Sequence, residues 1–469
     1  MSKFYITCAI PYVNAPPHVG HALEFVQGDV IARYHALLGE ETRLLSGGDE
    51  NALKNVQAAE KAGVPVKRFI DTNTQTFLNL TKALNCRFDV WQKGSDTRHH
   101  FPASQKLWEL CQKDIYKKSY EGLYCVGCEQ YYTPNDLNEN GECFEHPGKK
   151  LEMVKEENYF FRLSKYQNKL IKLISDDTIK IIPDFRKNEM LSFLKQPLLD
   201  ISISRSNERA KNWGVPVPGD PTQRMYVWFD ALNIYQSGVG FGWDDKQYEK
   251  WWPADVHVIG KGITRFHAIY WPAFLLSAGL KLPKSIFVHG YFTVNGQKMS
   301  KTVGNVIDPF ALIKKYGADP LRYYFLREIP PASDGDFSES RFKELYNADL
   351  ANGIGNLVAR IAKLCELNNV KASKTSTHVP FSSADHLAHY EFSLALEEIW
   401  KDVKKLDVGI NNDKPWETKD IRKIQHYVKQ LQHIAVALQP FLPDTAQKIL
   451  DQFKGPIIKS QPPLFPRIQ

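Results

Sequence analysis

Two short motifs, far apart in the chain, carry residue types that could bind phosphate. His18-Val19-Gly20-His21 follows a proline-rich loop and opens a segment with helical spacing. Backbone N–H groups and the positive end of a helix dipole favour an anion at such a position. The two histidines share one helical face, and Gly20, having no Cβ, allows a flat base or a ribose to approach the backbone. The alternative is an ordinary helix start with two solvated histidines.

The second motif, Lys298-Met299-Ser300-Lys301-Thr302, follows an Asn-Gly pair in a segment that we expect to be a flexible loop. Two lysines bracket a small hydroxyl residue, and their ammonium groups could stabilise a triphosphate as its α-phosphorus passes through a more highly charged transition state. The alternative is an exposed basic loop. The two motifs together are far more specific than either one alone.

A third group of residues has the spacing of metal ligands. Cys125-x2-Cys128-x14-Cys143-x2-His146 offers three thiolates and one imidazole in two chelating pairs. This set is typical of structural zinc, because four protein ligands leave no coordination position open for water. The alternative is four unrelated core residues. The remaining cysteines stand alone, and we expect them to be packed thiols: Cys8, Cys86, Cys111 and Cys365.

The elements that must position these motifs alternate between strand and helix. Apolar runs bounded by Pro and Gly predict strands at residues 3–9, 42–46, 256–259 and 285–288. Helical spacing predicts helices at residues 18–38 and 266–280, so each helix joins two strands. Such βαβ units are typical of mononucleotide-binding domains. Short strands and turns predict an inserted module in between, and the last third of the chain is almost wholly helical in pattern.

Composition excludes several classes of protein. The chain has 469 residues, of which 43% are hydrophobic and 24% charged, so it is neither disordered nor fibrous. Its formal net charge of +7 permits a nucleic-acid partner without establishing one. No apolar run approaches the roughly 18 residues that span a bilayer, and no signal-peptide cleavage site is present. We therefore expect a soluble cytoplasmic protein in a reducing compartment.

The sequences HVGH and KMSKT resemble HIGH and KMSKS, the two signatures of class I aminoacyl-tRNA synthetases. The resemblance implies that the first motif holds ATP at a helix N-terminus and that the second lysine of the loop stabilises the reacting phosphates. Thr302 replaces the usual last serine and keeps a hydroxyl. The implied catalytic residues are His18, His21, Lys298 and Lys301, and the implied ATP-binding set adds Gly20 and Ser300.

Four further segments, AIPYVN at residues 9–14, WFDALNIY at 228–235, RFH at 265–267 and VHGY at 288–291, look like the methionyl-tRNA synthetase family. The likeness extends over essentially the whole chain. It implies that Asp49 binds the α-ammonium group of methionine. The implied side-chain pocket consists of Ile10, Tyr12, Trp228, Ala231, Leu232, Tyr235, Phe266 and His267. A polarizable thioether pairs well with such aromatic rings, although the same rings without the resemblance would be ordinary core residues.

Two positions depart from the family pattern. Asn51 stands where the family usually has His, and Gly262 stands where it usually has Asp. The second departure removes a probable ribose contact, so we assign none to Gly262. Neither position is the phosphate-stabilising lysine, and we expect the chemistry to survive.

The C-terminal helices are expected to recognise RNA. An apolar stripe runs along residues 350–364, and Asn356 and Arg360 fall together on the polar side. Trp416 could stack on an unpaired base, a contact worth about 1–3 kcal/mol. The resemblance implies that these three residues read the CAU anticodon. The alternative is an ordinary helix surface with a half-buried tryptophan.

The expected architecture is α/β: a Rossmann-type, doubly wound parallel sheet split by a zinc-bearing connective insertion and followed by an α-helical bundle. The predicted boundaries are 1–115, 116–182, 183–320, 321–345 and 346–469. The implied activity converts L-methionine and ATP to methionyl-adenylate and transfers methionine to tRNA(Met), initiator tRNA included, with Mg²⁺ and one structural Zn²⁺. Because the chain ends directly after the helices, we expect a monomer. Another adenylating enzyme and a non-catalytic RNA-binding protein are the alternatives.

Overall fold

The computed structural model describes residues 2–125, 130–132, 137–143, 148–299, 304–371 and 383–469. The chain divides into two compact units. The first unit contains Met1–Pro17, Gly39–Asn79 and Phe88–His289, and the second contains His18–Leu38, Leu80–Arg87 and Gly290–Gln469. In the described part of the chain, no helix is both long enough and apolar enough to cross a membrane.

The strands in chain order are β1 Lys3–Cys8, β2 Glu41–Gly48, β3 Val90–Lys93, β4 Ile115–Cys125, β5 Gln130–Tyr132, β6 Glu152–Phe161, β7 Lys180–Ile182, β8 Ile201–Ser202, β9 Ser204–Ser206, β10 Pro216–Val217, β11 Asp220–Met225, β12 Val256–Gly260, β13 Ser285–His289, β14 Phe292–Val294, β15 Gln297–Lys298 and β16 Gly335–Phe337.

The α-helices are α1 Val19–Leu37, α2 Leu53–Lys61, α3 Val66–Ala83, α4 His100–Cys111, α5 Gln167–Ser175, α6 Asp184–Phe193, α7 Val227–Ala231, α8 Ile234–Ser237, α9 Asp245–Trp251, α10 Trp271–Ala278, α11 Pro309–Tyr316, α12 Ala318–Arg327, α13 Glu339–Leu345, α14 Asn356–Leu367, α15 Ala384–Ala388, α16 Phe392–Asp413, α17 Pro415–Thr418, α18 Ile421–Leu438 and α19 Pro443–Phe453. Two π-helical segments, Phe266–Tyr270 and Tyr346–Gly355, precede α10 and α14.

A six-stranded sheet forms the centre of the first unit. Its order is β3-β2-β1-β12-β13-β7, and all neighbours are parallel. Thr7 of β1 is in register with Leu45 on one side and with His257 on the other. Strand order reverses between β1 and β12, so the carboxyl ends of these two strands form the topological switch point where such sheets bind ligands. The expected doubly wound sheet is confirmed.

Two smaller antiparallel sheets complete the first unit. In the first, with order β5-β4-β6-β8, the long strands β4 and β6 pair along most of their length, and Cys125 ends β4. The second has the order β10-β11-β9. The strand β7, at the end of the predicted insertion, belongs to the central parallel sheet.

One predicted helix differs from its expected form. Residues 266–280 begin with the π-helix Phe266–Tyr270 and continue as α10, which ends at Gly279 with a φ of +72°. Pro272 has no N–H with which to bond the carbonyl of Ala268, and this favours a wider turn before it. The turn that carries Phe266 and His267 is therefore wider than a regular α-helical turn.

The second unit is mainly helical, with one small sheet of order β15-β14-β16. The predicted apolar stripe is confirmed, because its residues are all buried: Leu350, Ile354, Leu357, Val358, Ile361 and Leu364. Helix α18 ends at Leu438 before Pro440, and α19 begins at Pro443, which suits the first turn of a helix because its missing N–H has no partner there.

Candidate active site

The first motif builds the start of α1. His18 is the N-cap: its Nδ1 accepts a hydrogen bond from the Gly20 N–H at 3.1 Å, and His21 Nδ1 accepts one from the His18 N–H at 3.1 Å. The two rings are in contact, with centroids 4.0 Å apart and their planes tilted by 34°. Because both Nδ1 atoms are acceptors, the neutral rings carry their proton on Nε2. Each imidazole therefore presents Nε2–H as its donor group.

The second unit brings the two motifs together. The Val19 N–H donates to the Ile307 carbonyl at 3.3 Å, and Met299 Cε would lie 3.9 Å from a Cβ built on Gly20. That Cβ would also lie 2.9 Å from His18 Cε1, so a side chain at Gly20 would disturb the capping imidazole. The first motif and the start of the second motif therefore lie close together within the second unit.

The rest of the second motif is described only in part. Lys298 lies in the short strand β15, whose backbone pairs with β14. Ser300, Lys301 and Thr302 lie outside the described residues. Their roles stay predictions from the sequence.

The predicted methionine residues converge in the first unit, at the switch point of the sheet. Tyr12 follows β1 and forms a parallel bridge with Asp49, which follows β2. Trp228 stacks on Phe266 with centroids 3.8 Å apart and packs edge-on against Tyr12 at 6.4 Å. Tyr235 contacts the next residue of the same wall, His267, through a hydrogen bond of 2.8 Å. Ala231 and Leu232 are buried beside them, and Ile10 packs against the same core.

The hydrogen bonds of His267 indicate its tautomer, and its burial determines its charge. Its Nδ1–H donates to the Ile263 carbonyl at 2.9 Å, so Nε2 accepts from the Tyr235 hydroxyl. Burial lowers the pKa of His267 to about 4, against the weaker opposing effect of the Ile263 carbonyl. The pKa of neighbouring His257 is also lowered by burial and then by His267. The wall is therefore neutral at pH 7, which suits an uncharged thioether.

Asp49 is the carboxylate of this cluster. It is buried at the end of β2, where its N–H donates to the Pro11 carbonyl at 2.9 Å and its carbonyl accepts from Asn55 Nδ2 at 2.7 Å. These contacts fix the backbone of Asp49 at the carboxyl edge of the sheet. A buried carboxylate at this edge can bind a cationic group such as an α-ammonium.

The two departures from the family pattern lie in the first unit. Asn51 donates through Nδ2 to the Gly94 carbonyl at 2.8 Å and to Asp230 Oδ2 at 2.6 Å. Gly262 lies in the one-turn helix Lys261–Ile263 that follows β12. Sequence reasoning missed Asp230, although it is part of the WFDALNIY segment. The signal was an acidic residue in an otherwise apolar run.

Two of the four predicted zinc ligands are described. Cys125 and Cys143 are buried and form no disulfide, and their sulfurs lie 3.3 Å apart. This is too long for a disulfide of about 2.05 Å and about 0.5 Å shorter than the roughly 3.8 Å that separates two thiolates on a tetrahedral zinc with 2.3 Å bonds. Cys128 and His146 lie outside the described residues, and within the described residues no group of three metal-ligand side chains occurs. The two sulfurs fit a zinc site.

The predicted RNA-reading residues lie on the surface of the second unit. Asn356 begins α14 and is exposed, and Arg360, one turn later, donates to Asp407 and, at 2.6 Å, to Asn411 Oδ1 of α16. Trp416 in α17 has 47% of its surface exposed. An aromatic ring this exposed is accessible to a base for stacking.

Comparison with known proteins gives one consistent family. Residues 4–362 match the family model described as tRNA synthetases class I (M). The chain is 40% identical to the methionine--tRNA ligase of Brucella melitensis, over 98% of this chain and 93% of that protein. It is also 40% identical to the methionine--tRNA ligase of Thermotoga maritima, over 95% of this chain and 74% of that protein.

Solved structures agree with the sequence relatives. The methionyl-tRNA synthetase of Mycobacterium tuberculosis in complex with methionyl-adenylate matches with a TM-score of 0.91 and 36% identity, covering 100% of both chains. The free form of that enzyme matches with a TM-score of 0.85 and 32% identity, covering 100% of this chain and 99% of that one.

Proposed function

The chain belongs to the methionyl-tRNA synthetases of class I, and we propose that it converts L-methionine and ATP to methionyl-adenylate and pyrophosphate and then transfers the methionyl group to tRNA(Met), initiator tRNA included. The observation that carries the proposal is the approach of the two signature motifs within the second unit, where Val19 bonds to Ile307 and Met299 lies beside Gly20.

In this proposal the first unit binds methionine. Asp49 binds the α-ammonium group, and the thioether lies against the rings of Tyr12, Trp228 and Phe266. Sulfur–aromatic contacts of this kind are worth about 0.3–1.5 kcal/mol each. His267 completes the wall as a neutral imidazole, so no charged group has to be desolvated when methionine binds. A charged side chain would lose its hydration against these rings, and a β-branched side chain would bring no sulfur to them.

The adenylation step needs no nucleophilic side chain. The methionine carboxylate oxygen attacks the α-phosphorus of ATP, a new P–O bond forms, and the bond to pyrophosphate breaks. His18 and His21 donate from Nε2 to the nucleotide, and Lys298 and Lys301 stabilise the negative charge that builds on the phosphates. Mg²⁺ bound with ATP would supply further positive charge near the phosphates. Catalysis is therefore mainly positioning and charge stabilisation.

In the transfer step a ribose hydroxyl of the terminal tRNA adenosine attacks the carbonyl carbon of the adenylate, and AMP leaves. Asn356, Arg360 and Trp416 recognise the anticodon in this proposal. The link from Arg360 to Asp407 and Asn411 supports it, because it holds the guanidinium in one orientation. A pre-oriented planar group binds a base edge with less loss of side-chain entropy.

One structural zinc ion would be held by Cys125, Cys128, Cys143 and His146. It would stabilise the fold of the antiparallel β5-β4-β6-β8 sheet region and take no part in the chemistry. The fit rests on the buried sulfurs of Cys125 and Cys143, which lie 3.3 Å apart and form no disulfide. Metal analysis of the purified protein and of Cys143→Ala tests it: one zinc per chain is expected, and less than half of that in the variant.

We further propose that the protein acts in the cytoplasm as a monomer. In the part of the chain that the structure describes, no cysteine forms a disulfide, not even Cys125 and Cys143 with their sulfurs 3.3 Å apart, and this is compatible with a reducing compartment. Light scattering at several concentrations tests the oligomeric state, and a mass twice that of the chain would exclude the monomer.

The function is tested by charging purified tRNA(Met) with labelled methionine in the presence of ATP, Mg²⁺ and zinc. Formation of methionyl-tRNA that requires both ATP and methionine is expected. A protein that binds tRNA(Met) without charging it under these conditions would be a non-catalytic RNA-binding relative.

A further inference from the structure

A buried polar cluster lies directly behind the methionine wall and is not part of it. Its centre is the carboxylate of Asp230, which is 2% exposed. Oδ1 accepts from His100 Nε2 at 2.7 Å and from Ser104 Oγ at 2.9 Å, and Oδ2 accepts from Asn51 Nδ2 at 2.6 Å. A buried carboxylate with three donors is well stabilised, but it loses much of that stability when one donor is removed.

The cluster connects the short helices that carry the pocket. Asp230 lies in the five-residue helix α7, two residues after Trp228 and directly before Ala231. His100 Nδ1 lies 2.8 Å from Ser237 Oγ, and Ser237 ends α8, which carries Tyr235. Helices of one turn have little stability of their own, so tertiary contacts decide where they lie.

Asn51 attaches this cluster to the other side of the pocket. It is two residues after Asp49. Its Nδ2 donates both to Asp230 and to the Gly94 carbonyl, so both amide hydrogens are used. The intervening Glu50 is held by Thr74 Oγ1 at 2.7 Å and by the Ser95 N–H at 3.1 Å. The segment that follows β2 is thus fixed residue by residue, and Asn51 is its link to α7.

We propose that Asn51 and Asp230 form a positioning pair that sets the distance between the ammonium-binding Asp49 and the thioether wall on α7, and thereby the affinity and selectivity for methionine. This inference rests on the proposed function of the pocket. Methionine has a fixed separation between its α-carbon and its sulfur, so a wall displaced relative to Asp49 cannot satisfy both ends at once. The pair touches no reacting atom, and ATP use does not depend on it.

The test exchanges the two groups. N51D places a carboxylate against a carboxylate, and D230N places an amide donor against an amide donor. The double variant N51D/D230N again pairs one donor with one acceptor. In methionine-dependent pyrophosphate exchange, each single variant is expected to raise the KM for methionine by about tenfold or more, the range for loss of a hydrogen bond to a charged group. The double variant should recover part of that loss, because a carboxylate at position 51 accepts again from position 230 but cannot donate to the Gly94 carbonyl. The KM for ATP should stay within about twofold.

Two further variants separate positioning from general stability. N51A adds no charge and serves where N51D does not fold; it should raise the KM for methionine and lower the preference for methionine over norleucine. N158A removes another buried asparagine, whose Nδ2 donates to Glu156 Oε2 at 3.0 Å in β6, and should change neither KM nor the preference.

The outcomes distinguish this inference from the function beneath it. Wild-type protein that activates methionine, together with N51A and D230N of unchanged methionine KM, overturns the positioning pair alone. A double variant no better than the worse single variant also overturns it. Wild-type protein without any methionine-dependent exchange overturns both the pair and the proposed function.

Discussion

Replacing Arg322 by Met should destabilise the second unit strongly, because this guanidinium is fully buried and has several partners. Arg322 of α12 pairs with Asp29 of α1 at 2.7 Å, and both side chains are 0% exposed. It also donates to the carbonyls of Phe441 at 2.7 Å and Pro440 at 2.8 Å. Burial lowers the pKa of Arg322, but the nearby Asp29, Cys86 and Asp319 together raise it by more, so the guanidinium stays charged.

The magnitude follows from what remains after the substitution. Removing one partner of a buried ion pair costs about 3–5 kcal/mol, since the other charge is left in a medium that solvates it poorly. Asp29 keeps two donors, Arg33 Nε at 2.7 Å and the Arg87 N–H at 2.8 Å, which places the effect at the lower end of that range. We therefore expect R322M to lower the free energy of unfolding by about 3 kcal/mol.

The assay is urea unfolding followed by circular dichroism, with R341M as the matched control. Arg341 also lies in the second unit and pairs with Glu328 at 3.0 Å and Glu344 at 3.1 Å, but its side chain is 47% exposed. Its loss should cost at most about 1 kcal/mol. An R322M midpoint as high as that of R341M would refute the reasoning from burial.

Three further predictions concern the chemistry, the tRNA and the pH dependence. Lys301→Ala should abolish adenylate formation and leave the circular dichroism spectrum unchanged; normal exchange activity in the variant would exclude its role. Trp416→Ala should raise the KM for tRNA(Met) and spare methionine activation, whereas an equal loss in both assays would make the residue structural. Because the pKa of folded His267 is about 4 and the ordinary value is 6.5, the unfolded chain takes up this proton first. The free energy of unfolding should therefore fall as the pH drops from 6.5 to 4, by about 3 kcal/mol more in wild-type protein than in His267→Gln, and equal slopes in urea titrations of the two would contradict the buried, neutral imidazole.

The central strands of the parallel sheet could be predicted because most of their residues are buried. Apolar segments ended by Pro or Gly indicate such strands. The strand predicted at residues 3–9 is found at Lys3–Cys8, and the strand predicted at 256–259 is found at Val256–Gly260. The π-helical turn before α10 could not be predicted. Pro272 indicates that one helical hydrogen bond is missing, but the form that the turn takes instead depends on local packing.

The pocket was accessible from the sequence only through the family resemblance. Tyr12, Trp228 and Phe266 have no shared periodicity, and their stacking follows from strand order at the switch point. The cluster behind them was not accessible at all. Asn51 and Asp230 are separated by 179 residues, and no local pattern connects an amide with a carboxylate over that distance.

The central claim is that this chain activates methionine and no other amino acid. Its most direct test is ATP–pyrophosphate exchange measured with each of the twenty amino acids in turn, with Lys301→Ala as the inactive control. Exchange should require methionine, and the other amino acids should support exchange only near the level of the control. Exchange supported equally by another amino acid, or by none, would contradict it.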